Sequence, residues 1–383
     1  MSFGRVALIH DFLLDVRGAE RVFAALCDQF PQADLFTAVY DEEGTEGWFA
    51  HRSVNTSFLQ RLRPTAKTFR PLLPLYPYAM ESLDLTGYDL VISSSSAWAH
   101  GVLVDPEAVH VCYCHNPFRY AWNAREQTLR EHAPLTRAAL GIVLKRWRMW
   151  DFIAAQRVDT YVTNSETTRR RINRYFARDA SVLHPPVQTS RFTPVDAPGD
   201  SYVVLSELMP HKRIELAVRA FDRLGKKLIV VGNGPDARRL RRMAGPSVHF
   251  TGRVSDAEAA TLLSSARALV VTATEEFGIA AVEAQAAGRP VIALREGGAR
   301  ETVVDGVTGA FFEEPTVESL VDAVRRFDVE AIDPAACVRN ADRFDVARFE
   351  AGMREVVAGA LADDRSPREE RRRRVPRGLA LAS

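Results

Sequence analysis

The sequence predicts an α/β protein made of two doubly wound domains, each on a parallel sheet. At 383 residues the chain is too long for one ordinary core. Short apolar runs without a helical stripe alternate with amphipathic stretches along it. The alternation stops at one polar stretch bearing Pro and Gly, "QTSRFTPVDAPGD" (188–200), and then restarts.

In the first half, "RVALIHDF" (5–12) reads as a buried strand and "AERVFAALCDQF" as the helix after it. "ADLFTAVY", "YDLVISSSS" (88–96), "VHVCYCH" (109–115) and "DTYVTNS" (159–165) read as further strands, the last leading into a helix, "ETTRRRINRYF". "SVLHPPV" (181–187) closes this half, its Pro-Pro excluding helix. In the second half, "YVVLSE", "KKLIVVG", "SVHFTG", "ALVVTA" and "PVIALR" are five short strands, each with a helical stretch behind it. The expected domains are 1–190 and 200–344, followed by a helix over 345–364 that returns to the first domain. Residues 365–383 read as a disordered, Arg-rich tail.

Composition is that of a soluble globular protein, 46% hydrophobic and 26% charged. Net charge is +1, but 365–383 hold seven Arg and two Glu, or +5, so the rest sums to −4. A body of that charge has no general affinity for polyanions, and nucleic-acid binding is not expected. The tail suits weak contact with an anionic membrane surface. Four scattered cysteines make no disulfide framework. Cys112 and Cys114 read as small buried hydrophobes before metal ligands. No run of apolar residues is long enough to span a bilayer and no secretory signal opens the chain. The expected location is cytoplasmic, with peripheral contact at the inner face of the plasma membrane as the further option.

Two such domains with a linker make a cleft, and open parallel sheets bind ligands beyond the carboxyl ends of their strands. "ALVVTATEEFGIAAVEAQAAG" reads as strand, loop and helix at such an end. Gly278, lacking Cβ, sits at the loop-to-helix junction, where a ligand can approach the backbone. The amides of Phe277, Gly278 and Ile279 belong to the open first turn and suit an anion such as a diphosphate. Glu283 lies further along the helix, placed for paired hydroxyls such as those of a ribose, and Glu275 lies in the loop, placed for hydroxyls of a second sugar. The spacing therefore suits a nucleotide-sugar; the plain alternative is a pair of first-turn glutamates and one on a solvated face. Lys212 and Arg213, in a strand-to-helix loop of the same domain, can neutralise a diphosphate. In the first domain His115 follows a strand, and Arg119, Tyr120 and Trp122 offer a cationic and aromatic surface, or simply core.

Taken together, these stretches resemble the family 4 retaining glycosyltransferases of GT-B architecture, two Rossmann-like domains facing a central cleft. The resemblance runs from "VALIHDFL" to about residue 360. It rests on the E-x7-E motif in "EEFGIAAVE" (275–283), on "FTGRVSDAE" (250–258) and on "GGARETVVDGVTGAFF" (297–312). "YDLVISSSSAWAHGV" and "CYCHNPFRYAWN" look like a bacterial branch acting in polysaccharide or lipid-linked sugar synthesis. The resemblance implies Glu283 on the ribose, Glu275 on the donor sugar, and Phe277, Gly278 and Ile279 as backbone contacts. It implies Lys212 on the diphosphate, with Arg213 near it, His115 beside the donor sugar, and Arg253 and Val254 at the base. Gly18 and Ala19 in "VRGAERV" match a glycine pair on the acceptor side, which Arg119 shares.

Two positions depart from the family pattern. Glu207 stands where the family has an Arg, and like charges at about 4 Å cost roughly 4 kcal/mol at an effective dielectric near 20. Ala19 adds a Cβ where the family has glycine. The implied reaction is retaining transfer of a hexose, first mannose from GDP-mannose, to a saccharide or lipid-linked acceptor, without a metal or other cofactor. The alternatives are a nucleotide-binding but non-catalytic scaffold subunit, or a nucleotide-sugar 2-epimerase.

Overall fold

The computed structural model describes residues 4–130, 133–196 and 198–364, and the expected tail lies outside them. The chain forms two compact units. The first holds seven parallel strands, β1 (Val6–His10), β2 (Asp34–Thr37), β3 (Val54–Thr56), β4 (Leu90–Ser95), β5 (Val109–Cys114), β6 (Thr160–Thr163) and β7 (Ser181–Val182). Their order is β3-β2-β1-β4-β5-β6-β7. The second holds β8 (Tyr202–Leu205), β9 (Leu228–Val231), β10 (Val248–Gly252), β11 (Ala268–Val271), β12 (Val291–Leu294) and β13 (Gly309–Phe312), ordered β10-β9-β8-β11-β12-β13. Both follow the Rossmann order, in which the direction of winding reverses beside the first strand.

The strands β1, β4, β5 and β12 are buried along their whole length because helices cover both faces of each sheet. In β8, Tyr202 and Val204 pack with Phe221 of the helix Ile214–Leu224, while Val203 packs with Val282 of the helix Ile279–Ala286. That alternation is the period of two expected of a strand. In the first sheet, Ala7 and Ile9 join a core with Met80 and Trp98, and Cys112 and Cys114 join a neighbouring cluster with Ile172 and Phe176. Both cysteines are buried there as small hydrophobes, within a β5 that is buried along its length.

Elements beyond the expected ones include the edge strands β3 and β13 and the helices Pro134–Ala155, Val317–Arg326 and Pro334–Ala341. The unit boundary also differs from the expected 190–200, falling between Leu183 and His184. The polar stretch after it is folded into the second unit, where Thr189 Oγ1 donates to Asp345 at 2.7 Å and Arg191 pairs with Asp256 at 3.2 Å. The last helix, Val346–Asp364, passes into the first unit at Glu350, whose carbonyl accepts from Gln29 Nε2 at 2.8 Å.

Candidate functional site

All strands of a sheet run the same way, so every loop that follows a strand emerges at one edge. In the second unit this edge gathers the predicted donor-side residues. β8 leads to a single 3-10 turn, Pro210–Lys212, after which Arg213 takes a left-handed conformation (φ 52°) and starts the next helix. Thr272 Oγ1, just past β11, donates to the Lys212 carbonyl at 2.8 Å and fixes this turn against the neighbouring loop. Lys212 Nζ donates to both oxygens of Glu275, at 2.8 and 2.6 Å. Their side chains are 19% and 20% exposed, so the pair is partly desolvated yet reachable from solvent. Beside it, the buried Nη1 of Arg213 has no acceptor among the described residues, an exception to the usual pairing of buried donors.

The loop carrying Glu275 is held from behind. Gly298 N donates to the Glu275 carbonyl at 2.9 Å, and Thr274 Oγ1 to Glu296 at 2.5 Å. A Cβ on Gly297 would meet the Glu275 carbonyl oxygen at 2.2 Å, and one on Gly298 the Phe277 backbone at 2.3 Å. Only glycines allow that approach. Phe277 turns its ring into the core, stacked on His184 and edge-on to Phe344. Only its backbone is then left to serve a ligand. Gly278 is left-handed (φ 93°, ψ 63°) and immediately precedes the helix Ile279–Ala286. Glu283 lies half-buried on that helix, and Arg253 and Val254 follow β10 at the same edge. Glu207 is exposed in the loop after β8.

The edge of the first unit is built differently. His115 follows β5, and its Nε2 lies 2.8 Å from Ser94 Oγ on β4. His10, ending β1, places Nδ1 3.1 Å from the same hydroxyl. The other ring nitrogen of His10 is 3.5 Å from Glu20, which sits in the first turn of the helix Gly18–Gln29 and accepts from Arg17 N at 3.0 Å. Gly18 and Ala19 are the opening residues of that helix. Arg119 stands in the turn after β5, where its carbonyl accepts from Ala124 N. Burial, with the His10 ring beside it, pushes His115 down to about 3, so its imidazole is neutral at physiological pH. Next to His10, the Asp11 carboxylate accepts four backbone N–H groups, from Ser96, Ala97, Trp98 and Ala99, at 2.5 to 3.1 Å. It pins the loop leaving β4 much as a bound anion would.

Of the expected residues, the structure brings Lys212 and Glu275 into contact, sets Arg213 and Gly278 in loops at the same edge and puts His115 at the edge of the first sheet, while sequence reasoning passed over His10, Asp11, Glu20 and Ser94. The signal was present: "IHD" ends an apolar strand with two polar residues, and "SSSS" ends another. It also passed over the bracing of the Glu275 loop by Gly297 and Gly298. Among the described residues, no three His, Cys, Asp or Glu side chains converge as a metal site, and no helix is long and apolar enough to cross a membrane.

Residues 16–191 match the Glycosyltransferase Family 4 model and residues 192–344 the Glycosyl transferases group 1 model. One relative, a "GDP-mannose-dependent alpha-(1-6)-phosphatidylinositol monomannoside mannosyltransferase" of Mycolicibacterium smegmatis, is 34% identical over 192 residues, 42% of this chain and 50% of that protein. Another, a "D-inositol 3-phosphate glycosyltransferase" of Mycobacterium tuberculosis, is 30% identical over 192 residues, 43% of this chain and 40% of that one. The match spans half or less of these curated relatives. Among solved structures, Anabaena HepE in complex with UDP superposes with a TM-score of 0.67 at 16% identity, over 93% of this chain and 100% of that one. Sucrose-phosphate synthase of Thermosynechococcus elongatus gives 0.70 at 19%, over 94% and 100%. At those identities the likeness is one of fold. With two family models end to end over residues 16–344, on a fold that solved glycosyltransferases share, this chain belongs to the family 4 glycosyltransferases of GT-B fold.

Proposed function

We propose that the protein transfers a hexose from a nucleoside-diphosphate sugar to a saccharide or lipid-linked saccharide, with retention at the anomeric carbon and mannose from GDP-mannose as the first donor. The observation that carries the reading is the Lys212–Glu275 pair beside the unaccepted Arg213 N–H, at the sheet edge where Gly278 opens a helix. Lys212 and Arg213 supply positive charge to the diphosphate, and the amides after Phe277 add the helix terminus. When the diphosphate takes Lys212, Glu275 is released to accept from hydroxyls of the donor sugar. The same lysine then stabilises charge on the departing diphosphate, which is where transition-state stabilisation raises kcat. Glu283 holds the ribose, and the backbone at Arg253 and Val254 the base. His115, neutral, contacts the donor sugar, with Gly18, Ala19 and Arg119 toward the acceptor. The proposed chemistry routes no step through a metal, and activity is expected to survive EDTA.

The mannosyltransferase named among the relatives favours GDP-mannose. UDP-sugars are second, since UDP occupies a solved structure of the same fold. A cytoplasmic setting, with the Arg-rich tail against an anionic leaflet, fits a lipid-linked acceptor; deleting 365–383 should lower binding to anionic vesicles. The deciding experiment is a thermal-shift screen with GDP, UDP, dTDP, ADP and their sugars, followed by NMR of the anomeric product. A ligand at 100 times its dissociation constant stabilises by about 2.7 kcal/mol. A shift with GDP and GDP-mannose and an α-linked product support the reading. No shift with any nucleotide sinks it, and a shift without turnover leaves the nucleotide-binding, non-catalytic scaffold.

A further inference from the structure

We propose that Glu20, His10 and Ser94 form a positioning relay that holds the proton of His115 on Nε2 and leaves Nδ1 as a hydrogen-bond acceptor. The reading of His115 as a donor-sugar contact supplies the use of that acceptor; the relay itself rests on geometry.

The three serines of β4 each meet a different histidine: Ser93 meets His110 at 2.8 Å, Ser95 meets His100 at 3.2 Å, and Ser94 meets His115 at 2.8 Å. Of the three, Ser94 is the one that also meets a second ring, His10. It is fully buried, and His10 is 1% exposed, stacked on Phe23. β1, β4 and β5 are neighbours in the sheet, so parallel pairing brings their carboxyl ends into one row.

The proton order follows from counting. Ser94 has one hydroxyl proton to give, so with a single proton on each ring facing it, one ring accepts that proton and the other donates its own. Glu20 decides which. Its carboxylate lies in the positive first turn of a helix and takes the Arg17 N–H, two interactions that need no charged histidine. An anion 3.5 Å from His10 Nε2 keeps the His10 proton on that nitrogen. His10 Nδ1 then accepts from Ser94, Ser94 accepts from His115 Nε2–H, and His115 Nδ1 carries the lone pair. None of these three residues need touch substrate; they act through His115.

The test uses the full chain with 15N-labelled histidine, as wild type, Ser94→Ala, Ser94→Thr and Glu20→Gln. Long-range 1H–15N spectra report which nitrogen of His115 is protonated, whether or not the enzyme turns over. In Glu20→Gln the side-chain oxygen still serves Arg17 N, which turns the amide NH2 toward His10. That reverses each bond in turn and moves the His115 proton to Nδ1. The expected results are an Nε2–H tautomer in wild type and Ser94→Thr, a mixture in Ser94→Ala, and Nδ1–H in Glu20→Gln. With GDP-mannose, kcat should fall at least about tenfold in Ser94→Ala and Glu20→Gln, with donor KM little changed and Ser94→Thr restoring most of the rate. An Nδ1–H tautomer or a doubly protonated His10 in wild type would overturn the relay, as would a His115 tautomer unmoved in both disruptive variants. Tautomers as expected, in a protein that turns over no nucleotide-sugar, would support the relay and sink the glycosyltransferase reading.

Discussion

The two sheets share one strand order but finish their carboxyl edges in opposite ways. In the first unit the edge is largely buried and its polar groups are paired internally: Asp11 is spent on four backbone amides, and His10, Ser94 and His115 on one another. In the second it is half-exposed and charged, with a Lys–Glu pair, an unaccepted arginine N–H and left-handed glycine backbone. The first kind of edge keeps a fixed shape, and the second keeps charge in reserve for a charged guest. One strand order therefore carries an internally paired edge on one unit and a charged, partly exposed edge on the other.

The comparison breaks most visibly at Lys212. Lys212→Ala should lower kcat by about 10²–10³-fold, with Lys212→Arg between it and wild type, in an initial-rate assay with GDP-mannose. Near-normal turnover would mean that the charge at this edge is not what drives the reaction. Asp11→Ala strands four amides and should cost the first unit about 3 kcal/mol. All five tryptophans, from Trp48 to Trp150, belong to that unit, so the fluorescence midpoint in urea reads it alone. Gly298→Ala should cost the second unit about 2 kcal/mol, by forcing the Phe277 backbone away. Circular-dichroism melting should register that loss while the tryptophan transition stays in place.

Acid sharpens the contrast further. Burial pushes His110, like His115, from the ordinary 6.5 down to about 3. The unfolded chain therefore binds more protons than the fold between those values. The first unit keeps the full contribution above about pH 6.5 and loses it toward pH 3, by about 1 kcal/mol per group per pH unit. His110→Phe should flatten the tryptophan-monitored acid slope by about one proton. The smallest effect belongs to Glu207→Arg. At an exposed position it should tighten GDP binding only a few-fold, or by less than about 1 kcal/mol, in calorimetric titration.

Where a strand carried its pattern alone, the sequence was readable: β8, β9, β11 and β12 are short apolar runs with helices behind them. β3 escaped because "VNT" is three residues on an edge, too short for any period. β13, "GAFF", escaped because it is four residues opening on a glycine, kept small by the Val291 backbone 2.0 Å from where a Cβ would stand. The helix Pro134–Ala155 escaped because Ile142, Met149 and Ile153 are exposed, which blurs the apolar stripe. Lys212 and Glu275 were legible because charge at a loop-to-helix junction is a local pattern. The relay was not, since Ser94 is 84 residues from His10 and pairing across β1, β4 and β5 alone joins them.

The helix Val346–Asp364 gives the first unit its last piece from the far end of the chain. During synthesis a chain emerges at about 5–20 residues per second, and domains ordinarily fold in the order they appear. Here the unit that begins first is completed last, after the whole of the second unit has left the ribosome. Until then Gln29 lacks its Glu350 acceptor and Leu183 its neighbour Gly352. A chain ending at Phe349 would thus carry all of the second unit and an unsealed first one, the form a chaperone would meet.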